Sequence, residues 1–217
     1  MQMKKPFFVT LNLAAIVLLL LLPHYGPFPF FTYAPICLLL VIGVLKLQQA
    51  PFSVTGFRFS DFSIKIIPIG LAVAIGWISL YHFLIQPLLS YTFHITDADV
   101  SDFYFIRKHF INYLFIVLAA WLVGGGYEEI IFRGFIQSRF AELFKTKKYG
   151  FLLASCITSL LFGLYHIQQG ASGIIHATLF GFLCSFLLNH FKGNLWYGMI
   201  FHAFYDTLAL TLIYLGY

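Results

Sequence analysis

Three short stretches carry polar side chains into runs that are otherwise apolar: EEIIFR at 128–133, FGLYH at 162–166 and HAFYD at 202–206. Ionisable residues within membrane helices are costly and are functional candidates by default. On a helix, Glu129 and Arg133 stand four apart, so they face each other and pair. Glu128 is turned by about 100° from its neighbour and is left without that arginine. A desolvated, unpaired carboxylate is suited to general acid or base work. Phe162 and His166 share one helix face, and so do His202 and Asp206. A carboxylate beside a histidine can orient the ring and fix its tautomer. Peptide hydrolysis needs an activated water, a stabilised oxyanion and a proton for the leaving amine. One carboxylate and two imidazoles can supply all three. Two other readings use the same groups: a proton path in a transporter or channel, or a polar scaffold that holds helices together.

The elements that position these residues follow from composition. The chain has 217 residues, 60% hydrophobic and 10% charged, with mean hydropathy +0.88. Soluble domains carry about 25% charged residues, so most of this chain belongs in a bilayer. Apolar runs fall at 7–24, 29–48, 66–90, 110–135, 151–167, 172–190 and 195–216. They are continuous and lack two-residue alternation, which argues against a β-barrel. The expectation is an all-α, polytopic transmembrane bundle of about seven helices, forming one membrane domain over 1–217. The first run resembles a signal peptide but lacks a small-residue cleavage site, so it reads as a retained helix. Cys37, Cys156 and Cys184 sit in apolar runs without CxxC spacing and read as small core residues.

Orientation follows from Lys and Arg. With the N-terminus inside, the inner segments hold Lys4, Lys5, Lys46, Arg58, Lys65, Arg139, Lys145, Lys147, Lys148 and Lys192. The outer segments hold Arg107 and Lys108. Ten against two puts the N-terminus inside and the C-terminus outside. Because the net charge of +5 is spread in this way, it does not form a nucleic-acid stripe. The expected partners are membrane lipid and a protein or peptide substrate, with no nucleic acid.

Spacing also bears on depth. Glu128 and His166 lie at equal separations from a turn near Lys147, so antiparallel helices place them level. His202 and Asp206 would sit about 12–18 Å from their own turn, against about 28 Å for Glu128. A hairpin tip projecting by about 10 Å brings all four level. Gly124, Gly125 and Gly126 predict a break or kink before a second helical run from Tyr127 to Phe144, with space for water.

The ordered set EExxxR, FxxxH and HxxxD on successive apolar helices resembles the CAAX-protease and bacteriocin-processing family, also called CPBP or Abi. The resemblance covers 110–217 as a catalytic helix core. It implies an intramembrane endopeptidase of glutamic or metalloprotease type. Glu128 would activate water, His166 and His202 would assist, and Asp206 would orient the water or stabilise the oxyanion. Glu129 and Arg133 support the site. No cofactor is certain. Zn²⁺ is the possible one, held by Glu128, His166 and His202 with water in the fourth position, although the chain contains no HExxH. The small size and spare loops point to a multi-pass protein of the bacterial inner membrane. The remaining histidines, including His176 and His190, read as supporting residues at best.

Overall fold

A computed structural model describes residues 5–29 and 31–217. Lys4, counted above among the inner basic residues, lies outside them. The described residues form helices and no strands. Seven rods follow in order: α1 (Lys5–Tyr25), α2 (Tyr33–Leu47), α3 (Ile66–Phe93), α4 (Phe110–Leu143), α5 (Gly150–Tyr165), α6 (Gly170–His190) and α7 (Trp196–Leu215). Five segments are long and apolar enough to cross a membrane, and α2 and α5 are shorter. The chain is a multi-pass membrane protein built as a helical bundle. Large apolar side chains such as Leu39, Phe83, Ile111 and Leu122 cover its outer faces, where lipid replaces water as the favourable neighbour.

Local chemistry sets the irregularities. In α3 the helix widens to π geometry over Tyr81–Ile85, just before Pro87, which has no N–H for the ladder and crowds the carbonyl four residues back. α7 ends at Gly216, whose φ of 102° only glycine adopts freely. Its N–H closes the last turn on the carbonyls of Leu212 and Ile213.

Of the break or kink expected at Gly124–Gly126, the break does not occur; the helix widens instead. α4 is continuous from Phe110 to Leu143 and takes π geometry over Trp121–Glu128 and again over Ile130–Gln137. Nor are the glycines simply open space. A Cβ on Gly125 would lie 2.8 Å from both Ala203 Cβ and Met199 O, and one on Gly124 would run into the Asp206 carboxylate. The missing side chains let α4 and α7 approach backbone to backbone. Such close packing replaces the hydrophobic drive that lipid removes. Gly70 does the same for α3 and α7, since a Cβ there would meet Ile200 at 2.7 Å.

Polar bonds fasten the other end of the bundle. Asn12 of α1 accepts from Gln48 at 2.9 Å, and Gln48 accepts from Arg139 of α4 at 3.0 Å. Gln137 donates to Ser155 of α5 at 3.1 Å and accepts from Ser185 of α6 at 2.8 Å. Between the two ends the core contains Phe132, Phe135, Phe162, Phe180 and Phe201, all essentially buried. Cys37 and Cys184 are buried, Cys156 is partly so, and all three are free.

Candidate active site

α4, α5 and α7 deliver the residues singled out by spacing. α4 carries Glu128, Glu129 and Arg133 in its π-wound middle. His166 caps the C-terminus of α5. His202 and Asp206 lie one turn apart on α7. Glu128, His166, His202 and Asp206 all line one cavity of about 210 Å³, so the depth match expected from spacing is met. Apolar walls come from Ile116, Phe162, Phe180 and Leu210, and Val100 and Phe103 of the 94–109 loop close one end. That loop is bonded to the α5–α6 turn, where Asp99 N–H donates to Gln169 O at 3.1 Å.

The adjacent glutamates have separate surroundings. Glu129 is fully buried. Its Oε1 lies 3.2 Å from Arg133 Nη1 and accepts from His202 Nδ1 at 3.0 Å. Arg133 lies against the Phe162 ring at 4.3 Å, with its Nη2 3.0 Å from where a Cβ on Gly181 would stand. The buried charges offset each other as an ion pair and the cation also rests on a π face, although the guanidinium nitrogens and Glu129 Oε2 make no hydrogen bond among the described residues. The pairing of Glu129 with Arg133 is the one expected from four-residue spacing. Glu128 takes no part in it and faces the cavity.

Hydrogen-bond partners settle which ring nitrogens are available. A carboxylate and a carbonyl oxygen can only accept. His202 therefore carries hydrogen on Nδ1, toward Glu129. Its Nε2 stands 3.6 Å from Asp206 Oδ2 and 3.9 Å from Glu128 Oε2. Both separations are too long for hydrogen bonds and leave room for a reacting atom. His166 Nδ1 is 2.8 Å from Phe162 O, so it holds its hydrogen there and leaves Nε2 bare. Glu129 fixes the His202 ring from behind, and Asp206 stands across the other nitrogen, facing the cavity in which the sequence reading has it orient water or stabilise the oxyanion.

The donor chemistry suits a metal in one respect, since both histidines bond their outer nitrogen to an oxygen, as metal-binding imidazoles do. The spacing does not: among the described residues no three His, Cys, Asp or Glu side chains form a group that could hold a metal ion. As arranged, Glu128, His166 and His202 share a cavity without converging on one point.

Two features escape the spacing reading. His176 of α6 and Tyr33 of α2 also line the cavity. A lone histidine or tyrosine in an apolar run gives no local signal. The string GASG at 170–173 matches the GxSG pattern of a nucleophilic serine. Ser172, however, is buried and donates to Gln86 Oε1 at 2.8 Å, with Tyr81 OH at 3.0 Å. No imidazole is bonded to it, so it lacks the base that would activate it.

Residues 110–208 match the family described as Rce1-like, type II CAAX prenyl endopeptidase. That segment contains α4, α5, α6 and most of α7, and with them Glu128, Glu129, Arg133, His166, His176, His202 and Asp206. An uncharacterized protein of Mycoplasma capricolum subsp. capricolum (strain California kid / ATCC 27343 / NCTC 10154) is 31% identical over 109 residues, covering 50% of this chain and 30% of that protein. The chain thus spans well under half the length of the curated relative it matches. No solved structure matches.

Proposed function

We propose, from the match of residues 110–208 to the Rce1-like CAAX prenyl endopeptidases, that the chain is itself an intramembrane endopeptidase. It hydrolyses a peptide bond of a membrane-associated protein or peptide, with water activated by Glu128. The observation that carries this reading is the division of labour on α4. Glu129 is committed to Arg133 and His202, while Glu128 faces a cavity it shares with His166, His202 and Asp206.

Glu128 takes a proton from water as the oxygen adds to the substrate carbonyl. His202, with a proton on Nε2, donates to the oxyanion that forms. Glu129 holds the ring from Nδ1 and balances its charge. The bare Nε2 of His166 accepts the second hydrogen of the water. Asp206, whose Oδ2 lies 3.6 Å from His202 Nε2, favours the charged form of that ring and so keeps a proton on Nε2 for the oxyanion. Glu128 then returns its proton to the amine nitrogen, the C–N bond breaks and the two product ends separate. Apolar walls around the site strengthen each of these contacts relative to water.

The metal-free form is preferred. In the alternative, Glu128, His166 and His202 would move together onto Zn²⁺, which would activate the water as a Lewis acid. The placement that accompanies this function is the bacterial inner membrane, N-terminus inside and C-terminus outside, with lipid and a protein or peptide as partners and no nucleic acid. Mapping mature protein ends in membranes carrying Glu128→Gln tests the reading. The expected result is accumulation of uncut substrate; ends identical to wild type would overturn it in favour of a transporter or scaffold.

A further inference from the structure

His176 stands on the cavity wall with its tautomer already chosen. Trp77 Nε1 donates to His176 Nε2 at 3.0 Å. Indole can only donate, so Nε2 must be the bare nitrogen and the ring hydrogen sits on Nδ1. Among the described residues no protein group accepts from that Nδ1, and the ring is partly open to the cavity it lines. The ring is clamped as well as oriented. Tyr81 meets it edge-on at 4.4 Å and Tyr205 stacks on it at 5.1 Å. Tyr81 is in turn tied to Ser172 and Gln86. This is a rigid, uncharged donor presented to the substrate space. His166, with its bare nitrogen on Nε2, is the opposite case.

We infer that His176 is a substrate-binding residue whose Nδ1–H donates to a backbone carbonyl of the bound peptide, on the α6 side of the cleavage site. The inference rests on the endopeptidase reading and names a contact of that same site. Position fits: only the Phe180 ring separates the two imidazoles, 5.9 Å from His176 and 4.7 Å from His202. That gap is roughly one to three residues of extended chain. Ligand chemistry fits too. The cavity lining contains two carboxylates and no lysine or arginine. Such a lining disfavours an anionic ligand group at this point and suits a neutral peptide carbonyl.

The test uses the full chain in phospholipid vesicles with a lipid-tethered peptide library, cut sites being read by mass spectrometry. Kinetics are then measured on a peptide that the wild type cuts. His176→Phe should raise KM about three- to tenfold, the worth of one neutral hydrogen bond, with kcat little changed. His176→Asn keeps a donor near the Nδ1 position and should recover most of the loss, whereas His176→Gln should not. Trp77→Phe, which leaves the imidazole in place but releases its tautomer, should raise KM by a smaller factor. An unchanged KM in His176→Phe, with Glu128→Gln inactive on the same peptide, would overturn this inference alone. A wild type that cuts nothing in the library would overturn the protease reading and this inference with it.

Discussion

α4 carries two polar neighbourhoods nine residues apart, around Gln137 and around Glu128, and they are built on opposite plans. At Gln137 both ends of the amide are hydrogen-bonded, to Ser155 and Ser185, and the side chain is buried. The three helices α4, α5 and α6 are joined there. Glu128 makes no side-chain hydrogen bond among the described residues, its approach to His202 Nε2 is 3.9 Å, and a cavity of about 210 Å³ opens in front of it. Polar groups that are fully partnered inside a bilayer hold helices; a group left short of its partners beside open space is available to a substrate. Glu129, one residue along, stands between the two kinds: its Oε1 is held by Arg133 and His202, while its buried Oε2 has no hydrogen-bond partner among the described residues.

Substitutions can break that contrast in a graded way. Glu128→Gln removes the base and leaves the packing. It should lower the rate of peptide cleavage by about 10²–10⁴-fold, with thermal unfolding in detergent unchanged. Arg133→Met leaves Glu129 buried without its cation. A loss of about 3–5 kcal/mol is expected, visible as a lowered unfolding midpoint together with lost activity. Gln137→Leu should cost about 1–3 kcal/mol through the unpaired serines, while the remaining folded protein cleaves at the wild-type rate. If Gln137→Leu instead abolished cleavage without destabilising the fold, the division into holding and reacting groups would fail. Gly125→Ala drives a methyl into Ala203 and Met199 O and should cost about 1–3 kcal/mol by overpacking, measured by the same unfolding assay. The smallest effect is reserved for chelation. Dialysis against EDTA should leave kcat unchanged in the metal-free form, and restoration of a lost rate by Zn²⁺ would move the mechanism to the metal alternative.

Much of the site was legible because helix periodicity is local. Four-residue spacing placed Arg133 on Glu129 and freed Glu128, and equal distances from a turn put Glu128 and His166 on one cavity. Periodicity could not show that His202 turns its Nδ1 to Glu129, since that bond joins residues 73 apart in sequence. Nor could it show what the glycines do. Alone they weaken a helix, but against α7 the absence of side chains is what allows two backbones to meet, and the packing keeps α4 continuous. His176 read as no more than a supporting residue, because the orientation of its ring comes from Trp77, on another helix.

By itself the sequence determined the medium, the helical class and the identity of the paired and unpaired glutamates, because hydropathy and a 3.6-residue period are properties of short stretches. Only the tertiary structure decided which imidazole nitrogens face the cavity, which serine is locked away and which histidine joins the wall. Each of those depends on where one helix sets its donors and acceptors against another, and no single helix encodes that registration.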